Sequence, residues 1–322
     1  MSDPVIWWIT TGQAGFRSQA QGLAHALGFD AQEKVIGLKP PWAWAPAGLW
    51  RLTLAKLDPS KDTLSPPWPD LVISCSRRAG MVAAAIKKAS GGRTLAVHIQ
   101  NPLTALNQFD LVIPMRHDGV RGPNVMSVDL ALHDVAPAKL ADAAHAWRKR
   151  FTHLPRPLTG VLLGGSTKRH PFTIEHGRTL IERLNVARQK GGLAITASRR
   201  TPDAVKALLR DAYADDPGVF LWDGEGDNPY FGILALSDRL AVTGDSVSMV
   251  SEAAASGRPV AVFDLGGGAR HQRFLGNLIE RGVVGRLDGS PWPLAPEGPV
   301  NATPDAAEAV LALLQARTGR VG

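Results

Sequence analysis

Short apolar runs alternate with amphipathic segments of helical length along the whole of this 322-residue chain. Each run is long enough for one buried strand, and each following segment carries apolar residues at helical spacing. This alternation predicts an α/β fold with parallel sheets covered by helices. The predicted strands are residues 5–10, 34–38, 70–74, 94–98, 110–113, 160–164, 193–197, 219–222, 239–243 and 260–263. The clearest predicted helices are 18–27, 78–89, 174–190 and 203–214.

The series of predicted strands restarts near residue 160 and divides the chain into two halves. Just before the restart, the two prolines of Leu154–Leu158 favour a rigid, non-helical linker. A chain of this length is expected to form two domains of about 150 residues. We therefore predict two Rossmann-like domains with parallel sheets facing a central cleft. Their expected bounds are 1–154 and 158–304, and a helix in 305–322 is a candidate for crossing back to the first domain.

The net charge of the chain indicates which classes of partner it favours. A net charge of +7 favours anionic ligands such as diphosphates and anionic lipid head groups. Nucleic acid is not predicted, because aromatic residues make up only 6% of the chain and no basic run interleaves with them.

The expected location is cytoplasmic, with the possibility of peripheral binding to the inner face of the membrane. The single cysteine, Cys75, excludes an internal disulfide and fits a reducing compartment. No run of 18 apolar residues occurs, and Val5–Ile9 resembles a first strand more than a signal sequence.

The most informative local pattern lies in residues 236–264. An apolar run (Leu240–Val242) leads into a small polar turn, a helix of about ten residues and a second apolar run (Val260–Phe263). The predicted helix begins beside Ser246 and Ser248, and a helix start of this kind attracts anions. Glu252 lies one turn beyond Ser248 on the same face and can accept hydrogen bonds from a sugar diol. The pattern predicts a site for a nucleoside diphosphate.

Two further loops of the second half carry phosphate-binding chemistry. Gly164–Lys168 ends a predicted strand, and its glycines, hydroxyls and lysine suit a phosphate, although a plain turn is the alternative. Ser198, Arg199 and Arg200 end another strand, where paired arginines can hold a pyrophosphate by bidentate bonds. The alternative for them is a solvated arginine beside an ion pair. Thr201 is predicted to cap the next helix, with Pro202 at its first position.

Asn228–Tyr230 follows a turn-rich loop, and a structural turn is one interpretation of it. Asp223 and Glu225 form a D-x-E pair, but no D-x-D occurs in the chain. We therefore predict neither a metal site nor a cofactor. In the absence of a metal, a helix dipole and arginines are expected to stabilise the diphosphate.

Three loops of the first half are candidates for binding a second substrate, the acceptor, on the side of the cleft that faces the predicted diphosphate site. Thr10–Gly15 is a small-residue loop that lacks G-x-G-x-x-G and is either a ligand loop or a tight turn. His98 and the pair His117–Asp118 each follow a predicted strand, where a general base would be wanted. A structural histidine is the alternative at both, and the pair is the stronger candidate. The acceptor-side residues are Thr11, Gly12, Gln13 and His98; the catalytic candidates are His117 and Asp118.

Residues 40–50 form an uncharged, tryptophan-rich segment flanked by Lys39, Arg51 and Lys56. Amphipathic aromatics with basic flanks suit contact with an anionic membrane surface, and packing onto the chain's own domain is the alternative. The residues concerned are Trp42, Trp44 and Trp50.

The chain resembles two-Rossmann-domain (GT-B) nucleotide-sugar glycosyltransferases and, more narrowly, bacterial members of the mitochondrial fission Elm-type family. The resemblance covers roughly residues 5–285, and its specific matches are Phe109–Pro114 with His117-Asp118, Ser198–Pro202, Asn228–Tyr230 and Asp245–Ala253. The donor-binding candidates are Gly165, Ser166, Ser198, Arg199, Arg200, Asn228, Asp245, Ser246, Val247, Ser248 and Glu252.

The resemblance implies a metal-independent glycosyltransferase that uses a nucleoside-diphosphate sugar on a lipid or cell-envelope acceptor. It also implies a nucleobase contact for the loop at Asn228–Tyr230, as the alternative to a structural turn. A nucleotide-sugar epimerase is a related possibility. A different class is also open, because the family's role in mitochondrial fission in plants implies a membrane-associated adaptor without catalysis.

Overall fold

The computed structural model describes residues 3–40, 54–58, 60–166, 171–222, 224–297 and 300–318. These residues form eleven strands and nine α-helices. The strands are β1 (Ile6–Thr10), β2 (Ala31–Val35), β3 (Leu71–Cys75), β4 (Leu95–Ile99), β5 (Leu111–Ile113), β6 (Leu158–Leu163), β7 (Gly192–Ala197), β8 (Val219–Trp222), β9 (Arg239–Thr243), β10 (Val260–Phe263) and β11 (Gly285–Arg286). The helices are α1 (Ala14–Ala26), α2 (Arg77–Ala89), α3 (Pro137–Phe151), α4 (Ile174–Arg188), α5 (Asp203–Tyr213), α6 (Tyr230–Leu236), α7 (Val247–Ala255), α8 (Ala269–Glu280) and α9 (Thr303–Thr318).

The chain divides into two compact units. Unit 1 contains residues 1–134 and 302–322, and unit 2 contains residues 135–301. Each unit holds one sheet, and every strand pairing in both sheets is parallel. The predicted α/β class is therefore confirmed. Among the described residues, no helix has both the length and the hydrophobicity that crossing a membrane requires.

Unit 1 has the strand order β2-β1-β3-β4-β5. All five residues of β1 are buried, as expected for a central strand covered on both faces. Successive side chains of β1 point to opposite faces. Accordingly, Ile6 and Trp8 pack in one core cluster with helices α1 and α9, whereas Trp7 and Ile9 pack in the other with α2.

The edge strand β2 lies at Ala31–Val35, not at the predicted residues 34–38. Its register is fixed by pairing with β1, where Ile6 lies opposite Ala31 and Thr10 lies opposite Val35. The strand reads A-Q-E-K-V and is only half-buried, so it gives no apolar signal. The apolar residues Ile36 and Leu38 follow the strand instead. A second edge strand, β11, has only two residues and was not predicted.

Unit 2 has the strand order β8-β7-β6-β9-β10-β11, which is the 3-2-1-4-5-6 order of a Rossmann sheet. Its core cluster joins Val161 and Leu163 of β6 to Leu180 and Leu184 of α4 and Leu209 of α5.

The predicted domain boundary at 154–158 differs from the observed division. Helix α3 belongs to unit 2, because its Trp147 and Phe151 pack against Phe220, with ring centroids 6.2 and 5.0 Å apart. Gly232 of α6 lies so close to Trp147 that a Cβ there would come 2.4 Å from the indole Cγ. The proline-containing linker therefore lies inside unit 2, and the chain first crosses between the units near residue 134.

The chain returns to unit 1 near residue 302. Thr303 makes two hydrogen bonds to the backbone of His133: its Oγ1 accepts from the amide and donates to the carbonyl, both at 3.1 Å. Ala306 and Val310 of α9 are fully buried in the cluster that contains Leu23 of α1. The C-terminal helix is thus part of the first hydrophobic core.

Candidate functional site

The candidate donor site lies in unit 2 where the strand order reverses. Strands β6 and β9 are neighbours, and the connections after them lead to opposite sides of the sheet. In open parallel sheets, ligands bind beyond the carboxyl ends of the strands at such a switch point. The loop after β6 begins at Gly164, the loop after β9 begins at Gly244, and the loop after neighbouring β7 begins at Ser198.

Gly164 and Gly165 allow these loops to touch. The amide of Gly164 donates to Thr243 Oγ1 at 2.7 Å, and the amide of Gly165 donates to Asp245 Oδ2 at 2.9 Å. A Cβ on Gly164 would lie 2.2 Å from Asp245 Oδ1, and one on Gly165 would lie 2.2 Å from the Cβ of Arg200. Only glycine fits at both positions, so this backbone can approach a ligand closely.

Asp245 organises the loops from inside. Its side chain has no exposed surface. It accepts hydrogen bonds from Gly165 and from Thr243 Oγ1, the latter at 2.8 Å, and it lies 3.9 Å from an Arg200 guanidinium nitrogen. The side chain of Asp245 therefore positions the loops, and its carboxylate is not exposed for a donor contact.

The segment after β7 joins the same cluster. Ser198 Oγ donates to the Gly164 carbonyl at 2.9 Å, and Thr201 Oγ1 accepts from the Ser198 amide at 2.9 Å. Arg199 and Arg200 are exposed at this edge. Thr201 is buried, and α5 begins at Asp203 with Pro202 as its N-cap. The predicted capping role of Thr201 was wrong, because its hydroxyl is used between the loops.

Ser166 is exposed and lies at the end of the described part of the glycine loop. Its amide donates to the Arg200 carbonyl at 3.1 Å, and its Oγ accepts from the Phe172 amide at 3.1 Å. These bonds fix the loop beside the arginines. Thr167 and Lys168, which complete the predicted phosphate loop, lie outside the described residues.

Helix α7 begins at Val247, directly after this cluster. Ser246 is its N-cap, and its Oγ accepts from the Met249 amide at 3.4 Å. Ser248 lies in the first turn. The start of the helix carries partial positive charge, which favours an anion there. The predicted turn and helix start are therefore present as the sequence indicated.

Glu252 lies one turn further along α7 and is only 7% exposed. The Tyr230 hydroxyl donates a short hydrogen bond to Glu252 Oε2. Burial, followed by the charge of Glu252, raises the pKa of Tyr230 well above its ordinary value, so the phenol stays a donor. A carboxylate can accept about four hydrogen bonds, so this contact orients Glu252 without exhausting its capacity. The Tyr230–Glu252 contact was not foreseen from the sequence.

Asn228 is exposed, and its Oδ1 accepts from the Tyr230 amide at 3.0 Å. This bond is a local turn at the start of α6, which favours the structural alternative for that oxygen. Asp223 lies outside the described residues. Among the residues that are described, no cluster of three or more His, Cys, Asp or Glu side chains is arranged to hold a metal ion.

In unit 1, a cavity of about 530 Å³ lies at the carboxyl ends of β1, β2 and β3. The sheet order places the switch point of this unit between β1 and β3. Thr11 and Gln13 line the cavity, and Gly12 between them has φ +83°, a conformation that favours glycine. Sequence reasoning missed the other polar lining residues, although their signal was present, since Ser-Arg-Arg follows a strand in both units. They are Ser76, Arg77 and Arg78.

His98 does not fit the predicted acceptor-side role. Its side chain has no exposed surface, its Nδ1 lies 2.9 Å from Ser74 Oγ, and its ring stacks on Phe109 at 5.0 Å. Burial lowers the pKa of His98 to about 3. Gly80 of α2 is close enough that a Cβ there would meet the His98 ring at 2.7 Å. His98 is a neutral core residue between the sheet and α2.

His117 and Asp118 lie in a short 3₁₀ helix after β5. His117 Nε2 is 3.5 Å from Asp118 Oδ1, and the two side chains are only 8% and 2% exposed. The predicted pairing is present, and both side chains are largely buried. The tryptophans of the predicted membrane segment, Trp42, Trp44 and Trp50, lie outside the described residues, so that role stays a prediction.

Comparison with known proteins adds independent evidence. The sequence profile of the mitochondrial fission ELM1 family matches residues 14–314. The Arabidopsis thaliana mitochondrial fission protein ELM1 is 33% identical over 292 residues, which cover 80% of this chain and 67% of that protein.

Two solved structures share the fold. A UDP-GlcNAc 2-epimerase from Neisseria meningitidis, bound to UDP-GlcNAc, gives a TM-score of 0.57 at 12% identity and covers 97% of this chain and 99% of its own. Arabidopsis thaliana UGT89C1, complexed with UDP, gives 0.50 at 13% identity and covers 97% and 90%. Such low identity establishes the architecture alone, which is the predicted GT-B-like pair of Rossmann-like domains. With this fold and a family profile that matches most of its length, the chain belongs to the mitochondrial fission ELM1 family.

Proposed function

We propose that this protein is a metal-independent glycosyltransferase whose unit 2 binds a nucleoside-diphosphate sugar. One observation carries the proposal: three loops and the start of α7 converge at the switch point of unit 2, and Glu252 lies one turn along that helix. Known proteins of the same fold have been captured with UDP-GlcNAc or UDP, which agrees with this ligand class.

The diphosphate is assigned to the glycine loop, the start of α7 and the two arginines. The Gly164–Ser166 backbone permits close approach, and the helix start favours negative charge. Arg199 and Arg200 are exposed at the same edge, where guanidinium groups can form paired hydrogen bonds to phosphate oxygens. Asp245 lies beneath them and holds the loops in place.

The ribose is assigned to Glu252. A carboxylate is an acceptor for both hydroxyls of a diol, and the Tyr230 hydroxyl fixes the orientation of this one. The same contact would discriminate against a nucleotide that lacks these ribose hydroxyls, because a site built to accept a hydrogen bond from a hydroxyl rejects an analogue without it.

The acceptor is assigned to unit 1, with Thr11–Gln13 as a binding loop and His117–Asp118 as the general base. We propose a lipid or cell-envelope acceptor, in keeping with the net charge of +7 and the tryptophan-rich segment in residues 40–50. The location that follows is cytoplasmic and peripheral to the inner face of the membrane.

A nucleotide-sugar epimerase is the second candidate, because the epimerase of the same fold binds UDP-GlcNAc. The products separate the two activities. An epimerase converts UDP-GlcNAc to its C2 epimer without an acceptor, whereas a transferase releases UDP only when an acceptor is present. A membrane adaptor without catalysis, the third reading, predicts neither product.

Calorimetry with UDP-, GDP-, ADP- and CMP-sugars tests the donor site. We expect one class to bind the parent protein and Glu252→Ala to weaken that binding by about 1.5–3 kcal/mol, the scale of a hydrogen bond to a charged group. Glu182→Ala is the matched control, because Glu182 is an exposed glutamate on α4 of the same unit. Absence of binding by every nucleotide sugar, or equal affinity in the two variants, would refute the proposed donor site.

A further inference from the structure

Two arginine side chains line the unit 1 cavity, and the proposed function gives them no role. It is bounded by the carboxyl ends of three adjacent parallel strands, β1, β2 and β3. Its volume of about 530 Å³ is within the range of small-molecule sites. Arg77 and Arg78, the first two residues of α2, are both exposed at this cavity.

The charge of the lining is positive. None of the described lining residues is acidic. The other ends of the same sheet and helix carry paired charges, as in the Lys87–Asp110 contact at 2.8 Å. Arg77, by comparison, forms no ion pair with any acid in the part of the chain that the structure describes. A guanidinium kept beside a cavity without a counter-ion favours an anionic ligand.

The two units make a useful internal contrast. Ser-Arg-Arg follows β3 in unit 1 and β7 in unit 2, and each strand is next to the first strand of its sheet. In unit 2 the second arginine, Arg200, lies 3.9 Å from the buried carboxylate of Asp245. In unit 1 the described lining offers no such carboxylate. The corresponding arginines therefore line a cavity whose described lining holds no acidic residue.

The rest of the lining is mixed. Phe16, Ile36 and Leu38 supply apolar surface, while Thr11 and Gln13 supply hydrogen-bonding groups. An anion with no other substituent would leave the apolar part uncovered. The combination fits a phosphate group attached to an apolar moiety, because guanidinium groups match phosphate oxygens and the apolar residues cover the remainder.

We propose that unit 1 binds a phosphate-bearing ligand in this cavity, with Arg77 and Arg78 as its anion contacts. The identification of this ligand as the acceptor rests on the proposed function, but binding itself does not. The ligand's phosphate is either free in solution or part of a lipid head group, and both share the chemistry that the arginines recognise.

Calorimetry on the full chain tests the assignment, with inorganic pyrophosphate and phenyl phosphate as probes. All variants carry Arg199→Ala and Arg200→Ala, which remove the arginine contacts of the proposed diphosphate site in unit 2. Arg77→Ala/Arg78→Ala in this background should weaken binding by roughly 10- to 100-fold. The matched control is Lys88→Ala/Arg93→Ala, which removes the same charge from exposed residues near the opposite end of α2 and should change affinity by less than about twofold.

Arg77→Lys/Arg78→Lys preserves the charge and provides a test if the alanine variant does not fold. It should lose part of the affinity, because lysine cannot form the bidentate bonds. Equal affinity in the arginine variants and the control, or no binding of either probe by the background protein, would overturn the proposal. Failure of unit 2 to bind nucleotide sugars would leave this measurement unaffected, so the two proposals fail separately.

A vesicle arm identifies the source of the phosphate. The same variants are sedimented with phosphatidylcholine vesicles with and without phosphatidic acid. Binding that requires both phosphatidic acid and the arginines supports a lipid phosphate. Arginine-dependent binding of phenyl phosphate without vesicle binding supports a soluble ligand. Arginine-independent binding in both arms overturns the site.

Discussion

Unit 1 and unit 2 use similar sequence signals to build different switch points. In each, a small-residue loop follows the first strand and Ser-Arg-Arg follows a neighbouring strand. In unit 2 the loops close on one another, because Asp245 lies between the glycine loop and Arg200. In unit 1 the described loops border an open cavity that lacks an acidic lining residue. The buried carboxylate of Asp245 thus joins the loops of unit 2, whereas the described lining of the unit 1 cavity includes two arginines and no acid.

The largest effect is expected when the proposed general base of unit 1 is removed, because donor binding is assigned to unit 2. His117→Ala and Asp118→Ala should reduce turnover by roughly 100- to 10,000-fold while donor affinity stays nearly unchanged. Turnover and donor affinity are measured on the same preparations. Asp118→Asn keeps the shape of the side chain and removes its charge, so it separates the loss of the carboxylate from the loss of packing. Melting curves show whether the buried pair is needed for folding. Full turnover in both alanine variants would move the search for the base elsewhere.

Acid should destabilise unit 1 through two buried histidines. Burial lowers the pKa of His98 to about 3 and that of His133 to about 4, against about 6.5 in the unfolded chain. Between these values the unfolded state binds more protons, so stability rises with pH and is lost as the pH falls below about 6.5. At pH 5 the loss is up to about 2 kcal/mol for each histidine.

Hydrogen exchange, corrected for intrinsic rates, measures this loss in the amides of unit 1. His98→Gln should reduce the pH dependence by about half, because one of the two groups is then absent. An unchanged slope in that variant would show that His98 does not carry the effect.

The two glycine loops should differ in their tolerance of alanine. Gly164→Ala places a Cβ 2.2 Å from Asp245 Oδ1 and should destabilise unit 2 by about 1–3 kcal/mol through overpacking. Gly12→Ala meets no atom within 4 Å but keeps φ +83°, so about 1–2 kcal/mol is expected from the backbone alone. Gly12→Asn should recover part of this cost, whereas Gly164→Asn should not. Thermal unfolding, with hydrogen exchange followed in each unit, measures the two losses of stability. A larger loss for Gly12→Ala than for Gly164→Ala would contradict the contrast.

The smallest expected effect concerns metal. If arginines and the start of α7 hold the diphosphate, EDTA should leave turnover and donor affinity nearly unchanged, in line with the lack of a D-x-D motif in the sequence. Turnover with and without EDTA, followed by addition of Mg²⁺ or Mn²⁺, measures this. Loss of activity with EDTA and recovery with a metal would refute metal independence.

The successes and failures of sequence reasoning share a physical origin. The strand–turn–helix–strand pattern around Ser246 was predicted correctly because its signals are local: an apolar run, a polar turn and a capping serine. Edge strand β2 was misplaced because its polar residues are stabilised by pairing with β1, which no local pattern reports. His98 was misread for a similar reason, since its burial depends on Gly80 and Phe109, distant residues that cover it in the fold.

By itself, the sequence determined the α/β class and the two parallel sheets, because hydrophobic periodicity and chain punctuation are properties of consecutive residues. Only the tertiary structure decided that α3 packs in unit 2, that Asp245 supports the loops from inside, that Tyr230 orients Glu252 and that Arg77 lies beside a cavity. Each of these facts depends on contacts between residues far apart in the chain. Such contacts are set by the packing of whole elements and leave no regular mark on the residues between them.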